Sequence, residues 1–145
     1  MESDFSHTLT GGRADFPHVL DAIEAELAAR GVPPAAIGPV LIASDEVVSN
    51  ILDHGGGDGR SPRVEIGVSV RDGAVTVQID DDGPAFDPTR AAAPDTGLSV
   101  EDRQVGGLGI HLVRKLMDAV GYDRIDGRNR LRFSKSYAQP PVAAP

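Results

Sequence analysis

The sequence predicts a two-layer α/β (α+β) sandwich, with helices on one face of a mostly antiparallel sheet. Apolar residues recur at helical spacing in three stretches, at Val19, Leu20, Ile23 and Leu27, at Val40, Val47, Val48 and Ile51, and at Leu112, Val113, Leu116 and Met117. Between the second and third stretches the period drops to two. Val64, Ile66, Val68 and Val70 alternate with Glu65, Gly67, Ser69 and Arg71, and Val75, Val77 and Ile79 alternate with Thr76, Gln78 and Asp80. Strands patterned in this way have one wet and one covered face, so the helices belong on a single side.

The 145 residues suit one domain with one core, expected over residues 1–138, with residues 139–145 as a disordered tail. Aromatics make up only 4%, so packing rests on Val, Leu, Ile and Ala. A net charge of -8 without a Lys/Arg-rich segment repels a phosphate backbone and argues against nucleic-acid binding. The absence of cysteine excludes disulfides, Cys-ligated zinc and thiol catalysis. The stretch Met1-Glu2-Ser3-Asp4-Phe5 is acidic and lacks an apolar signal region, and no apolar run approaches membrane-spanning length. A soluble, cytoplasmic protein is expected, with neither membrane nor direct nucleic-acid contact.

In chain order, Phe5 to Leu9 reads as a short edge strand before a turn at Thr10-Gly11-Gly12. Asp15 stands where a cap would start the first helix, which Gly31 ends. Pro33 and Pro34 separate it from a second helix running from Ile37 to His54, with Val40, Ser44, Val47, Val48 and Ile51 as its core stripe. Glu46 and Asn50 stand one turn apart beside that stripe, so their side chains reach the same point in space. A carboxylate and a carboxamide there can serve one site, or can be a satisfied pair on a solvated flank. Four glycines between Gly55 and Gly59 form a loop.

Asp72-Gly73 is a hairpin turn. The next residue in phase with Val75, Val77 and Ile79 is Asp81, which places a carboxylate on the covered face, where it needs a donor. Asp80 and Asp82 are out of phase and expected to be wet. Gly83-Pro84-Ala85 turns away from the sheet, and from Pro88 to Val105 no steady period appears. Connections of that length are usually functional lids or disordered. Gly106-Gly107-Leu108-Gly109 then opens the third helix. Glycines at a helix start let backbone N–H groups approach an anion, although they can equally be a loose turn. The pattern is neither a Walker loop nor a dinucleotide fingerprint. Val120 to Ile125 and Arg130 to Tyr137 are expected to pair around a turn at Asp126-Gly127-Arg128-Asn129.

The Glu46/Asn50 helix, Asp81-x-Gly83-x-Ala85 after a strand, a long lid and the Gly106-Gly107-Leu108-Gly109 helix start resemble, in order and spacing, the histidine-kinase-like (GHKL) ATP-binding superfamily from roughly Ile37 to Phe133. Asp82-Gly83-Pro84-Ala85-Phe86-Asp87-Pro88 and Gly107-Leu108-Gly109-Ile110-His111-Leu112 are most similar to the small anti-sigma factor/serine kinases of the RsbW and SpoIIAB kind. The resemblance implies a Bergerat-type fold with a mixed, mostly antiparallel sheet, and ATP and Mg²⁺ as cofactors. It implies that Asp81 accepts a hydrogen bond from the adenine amine, that Gly83 and Ala85 flank the base, and that Asn50 ligates Mg²⁺. Gly106, Gly107, Leu108 and Gly109 would wrap the polyphosphate beneath a lid at residues 88–106, and Glu46 would be the general base.

The implied activity is phosphorylation of a serine on a STAS-domain anti-anti-sigma protein, with a sigma factor as the other partner and a homodimer as the assembly. The alternative is an ATP-binding partner-switching module without kinase activity. Three positions depart from the pattern. Ala85 replaces a second glycine, a threonine of the last strand is replaced around Asn129-Arg130, and Arg103 is the nearest arginine before the glycine box. An arginine facing the base could not accept a hydrogen bond. His54 either borders the phosphates or simply ends its helix, and His111 is read as packing or a lid contact.

Overall fold

The computed structural model describes residues 2–10, 12–54, 61–90 and 105–139, with only the backbone of residues 54 and 105–108. In chain order the elements are β1 (Phe5–Leu9), α1 (Phe16–Ala29), α2 (Pro34–His54), β2 (Val64–Arg71), β3 (Ala74–Asp81), α3 (Val105–Leu116), β4 (Ala119–Ile125) and β5 (Arg128–Ser136). Short 3-10 turns occupy Gly12–Asp15 and Pro88–Arg90. The strands form one sheet in the order β1-β2-β3-β5-β4, and every described pairing is antiparallel. The last hairpin therefore lays β5, its second strand, beside β3. The four-glycine loop, most of the expected lid including Arg103, and the tail beyond Gln139 lie outside the described residues.

The alternation read from the sequence becomes the two faces of this sheet. Val64, Ile66, Val68, Val75, Val77, Ile79, Leu131 and Phe133 are buried on one side, against Ile23 and Leu27 of α1, Val40, Ala43, Val47 and Val48 of α2, and Ile110, Val113 and Met117 of α3. Leu112 was expected in that core but is exposed; Ile110, one helical turn before the buried Val113, takes the inward position instead. The stretch Pro34–Asp53 is long and apolar enough to cross a membrane by length and composition, contrary to the expectation of no such run. Its apolarity has a local cause, because Val40, Ala43, Ser44, Val47 and Val48 pack into the core, and the Ser44 hydroxyl is satisfied by donating to the Val40 carbonyl at 2.8 Å.

Asp15 occupies the cap position of α1 but makes no side-chain cap bond, and Pro17 in the first turn supplies a preset φ instead. The other end closes through a left-handed Gly31 (φ 83°), whose N–H donates to Ala28 O at 3.0 Å while Val32 N–H donates to Leu27 O at 3.1 Å. This is a Schellman closure, with Val32 and Leu27 buried together. A Cβ on Gly31 would meet nothing within 4 Å, so Gly31→Ala carries only backbone strain. Urea denaturation is expected to show a loss of about 1 kcal/mol.

On the open face the expectation of a wet Asp80 fails. The residue is only 7% exposed, because Arg130 of β5 lies across its carboxylate with Nε and Nη2 donating at 2.9 and 3.0 Å. That bond holds the guanidinium of Arg130 even more firmly protonated than usual. Phase correctly placed Asp80 on the open face, but a neighbouring strand's long side chain covers it.

Candidate functional site

The site is built where α3 crosses α2. Glu46 and Asn50 stand half-buried on the flank of α2, and Gly109, in the first turns of α3, is buried against them. A Cβ added to Gly109 would lie 2.6 Å from Asn50 Nδ2 and 3.1 Å from Glu46 Oε2. The glycine therefore lets the tips of Asn50 and Glu46 lie against the α3 backbone, and any larger residue would push them aside. Neither the Glu46 carboxylate nor the Asn50 carboxamide makes a side-chain hydrogen bond or ion pair among the described residues. The two side chains are thus not hydrogen-bonded to each other. Gly106, Gly107 and Leu108 lie in the first turn of the same helix, where N–H groups lack intrahelical acceptors and the helix field is positive. Helix-start backbone N–H groups and two polar side chains without a hydrogen-bond partner among the described residues therefore belong to one crossing of helices.

This juxtaposition predicts an unusual variant. Gly109→Ala exchanges a poor helix former for the best one, a gain of up to about 1 kcal/mol, while the new methyl displaces the tips of Asn50 and Glu46. Thermal unfolding should show a protein about as stable as the parent, and phosphotransfer or ATPase assays should show activity largely lost. Retained activity would show that the two side chains need not sit where they do.

The second half of the site is the end of β3. Asp81 is in phase with Ile79, as expected, and is 6% exposed on the face that the helices cover. Its Oδ1 accepts from Gly83 N at 2.9 Å and from Asn129 Nδ2 at 3.1 Å. Its Oδ2 accepts no hydrogen bond among the described residues. Burial pushes the carboxyl above the ordinary range, opposed by those two donors. A buried carboxylate with one oxygen unsatisfied is costly, and an incoming N–H donor offsets that cost. Asp82, by contrast, is used structurally, with Oδ1 accepting from Arg63 N at 2.9 Å. The following Ala85 and Phe86 are exposed, and Phe86 is 60% so.

The residue opposite Asp81 is Asn129, and Arg130 pairs with Asp80 on the other face. The concern that an arginine faces the base is therefore corrected. The error came from reading Asp126-Gly127-Arg128-Asn129 as a four-residue turn. The turn is Asp126-Gly127 alone, with φ of 51° and 76°, and Arg128 and Asn129 already belong to β5. The signal was available, since a two-residue Asp-Gly hairpin was recognised at Asp72-Gly73, where the same positive φ values of 53° and 76° occur. The side chain of His54 and the residue Arg103 lie outside what is described. His111 is half-buried on α3.

The Glu46/Asn50/Gly109 convergence and the half-satisfied Asp81 lie within residues 13–135, which match the family model of the histidine kinase-like ATPase domain. The chain belongs to this family. Histidine kinase-like ATPase domains bind ATP, and the donor set fits that ligand at both ends, with an unsatisfied buried acceptor at one and helix N–H groups beside a carboxamide at the other. A serine/threonine-protein kinase, BtrW, of Bordetella bronchiseptica is 34% identical over 99 residues, covering 68% of this chain and 70% of that protein. Among solved structures, the RsbU and RsbW domains of Rv1364c from Mycobacterium tuberculosis match over 94% of this chain, with a TM-score of 0.62 at 16% identity. This chain covers 33% of that longer protein. The histidine kinase domain of a blue-light activated histidine kinase from Erythrobacter litoralis matches over 82% of this chain and 59% of its own length, with a TM-score of 0.52 at 18% identity. These two likenesses establish the two-layer fold of the histidine kinase-like ATPase domain.

Proposed function

We propose that this histidine kinase-like ATPase domain is a cytoplasmic, ATP-dependent serine-protein kinase that phosphorylates a serine of a STAS-type anti-anti-sigma partner and regulates a sigma factor by partner switching. The observation that carries the reading is the Glu46 carboxylate, unengaged, beside Asn50 and the Gly109 backbone. A module that only binds a nucleotide or a protein has no use for a base at that point. The likeness to a named serine/threonine-protein kinase supports the same direction.

In this reading Asp81 accepts a hydrogen bond from the adenine amine, and Gly83 and Ala85 let the chain pass beside the base. The backbone of Gly106, Gly107, Leu108 and Gly109 receives the polyphosphate. Among the described residues no three His, Asp or Glu side chains cluster as a metal cage. In the family likeness Asn50 is the residue that would hold Mg²⁺, an ion content with one protein oxygen plus phosphates and waters, which supplies charge neutralisation when bound. Glu46 takes the proton of the partner serine hydroxyl as its oxygen attacks the γ-phosphoryl group, and positioning and charge account for the remainder.

The test is incubation with γ-labelled ATP and a STAS-domain protein. Transfer of label to a serine is expected. Nucleotide binding with no phosphoserine would leave the non-catalytic partner-switching reading in its place, and acid-labile phosphohistidine would point to a different phosphoacceptor.

A further inference from the structure

The purine end of the site holds a residue to which the activity proposed above assigns no role. Asn129 is 7% exposed and makes five hydrogen bonds. Its Oδ1 accepts from Phe86 N at 3.1 Å, from the Tyr122 hydroxyl at 2.5 Å and from Arg124 Nη1 at 3.1 Å. Its Nδ2 donates to Asp81 Oδ1 at 3.1 Å and to the Pro84 carbonyl at 2.8 Å. Arg124 Nη1 also donates to the Gly83 carbonyl at 3.0 Å.

A side-chain amide can ordinarily turn over, exchanging its oxygen for its NH₂ at little cost. Here that exchange would set the NH₂ against a backbone N–H and a guanidinium, and the oxygen against a carboxylate and a carbonyl. Arg124 of β4, with Phe86 N–H and the Pro84 carbonyl, therefore locks the amide in one orientation, and the Tyr122 hydroxyl, which can donate or accept, completes its shell. The locked amide in turn occupies Asp81 Oδ1. With Gly83 N on the same oxygen, Oδ2 is the one carboxylate atom left to meet a ligand.

We infer that Asn129, locked by Arg124 and the Phe86 N–H, is the positioning residue that makes Asp81 selective for a purine bearing an exocyclic amine. Without the Asn129 amide, Oδ1 loses a donor and the carboxylate is free to rotate. Its acceptor then no longer points along one direction, and preference for an amine over a hydrogen or a carbonyl at the same purine position falls. The inference rests on the adenine-nucleotide reading of the site, and concerns which groups enforce it.

The experiment compares ATP with purine riboside 5′-triphosphate, which lacks only the exocyclic amine, by titration in Mg²⁺ buffer against the full chain. A hydrogen bond to a charged acceptor makes the parent prefer ATP by roughly 10- to 100-fold. In Asn129→Ala the preference should collapse toward equality, chiefly through weaker ATP binding. Arg124→Met, which removes the guanidinium that forbids the flipped amide and keeps an unbranched apolar stem, should reduce the same ratio partially, and it carries the test should Asn129→Ala not fold. A purely structural cross-link would weaken both nucleotides by the same factor and leave the ratio unchanged, and that result in either folded variant overturns the inference. Parent protein that binds neither nucleotide overturns the ATP reading and this inference with it. Parent preference that survives in the variants overturns this inference alone.

Discussion

Replacing Glu46 by glutamine is expected to lower phosphotransfer to the partner serine by roughly 10²–10⁴-fold while ATP binding persists. Glu46 touches nothing that its loss would unfold, having no side-chain hydrogen bond or ion pair among the described residues, and glutamine keeps its shape beside Gly109. What disappears is an atom able to take a proton. Asn50→Ala should behave differently, losing nucleotide binding together with transfer, because in the proposed reading its oxygen would hold the Mg²⁺ that accompanies the nucleotide. Single-turnover transfer from labelled ATP and calorimetric nucleotide titration separate the two effects. If Glu46→Gln weakens ATP binding as much as Asn50→Ala does, the division of roles between base and ligand is wrong.

Asp81→Asn is expected to abolish selective ATP binding while leaving the fold at least as stable. The carboxamide can present its oxygen to Gly83 N and Asn129 Nδ2, but then directs NH₂ where the ligand's own donor must come. Exchanging a charge-assisted hydrogen bond for a donor facing a donor weakens ATP by at least roughly 10- to 100-fold. Stability moves the other way. Burial holds the folded carboxyl above its unfolded value, so between those two values the folded chain keeps a proton that the unfolded chain has released. Stability from the protonated form is complete in acid and is lost as pH rises through the folded value. At neutral pH the folded protein therefore bears the cost of a buried charge that asparagine does not carry. Thermal melts should show Asp81→Asn unfolding no earlier than the parent at neutral pH, with any advantage vanishing in acid. A variant that is less stable at neutral pH would mean that Asp81 is a structural acid, and the assignment of its Oδ2 to a ligand would fail.

Much of the scaffold was legible before any coordinates. Period-two alternation from Val64 to Ile79 selects one face of the sheet, and the stripe of Val40, Ser44, Val47 and Val48 selects the face of α2 that covers it. The same phase argument carried one residue further placed Asp81 under the helices. The misreadings have local causes. Asp80 is in wet phase yet buried, because a strand's own pattern says nothing about an arginine arriving from β5, fifty residues away in sequence. Asn129 is not in a turn but opposite Asp81 in β5, because Asp126-Gly127 closes its hairpin in two residues just as Asp72-Gly73 does.

By itself the sequence determined which side chains lie on a covered face and which residue types stand at the helix start, because periodicity and backbone freedom are properties of neighbours along the chain. Only the tertiary structure decided that Gly109 backs directly onto Glu46 and Asn50, and that Tyr122 and Arg124 close around the Asn129 amide oxygen while its NH₂ donates to one oxygen of Asp81. Those contacts join residues far apart in sequence, and their existence depends on the crossing of two helices and the register of two strands. Neither is set by any single segment, and both follow from the packing of the core that all the segments share.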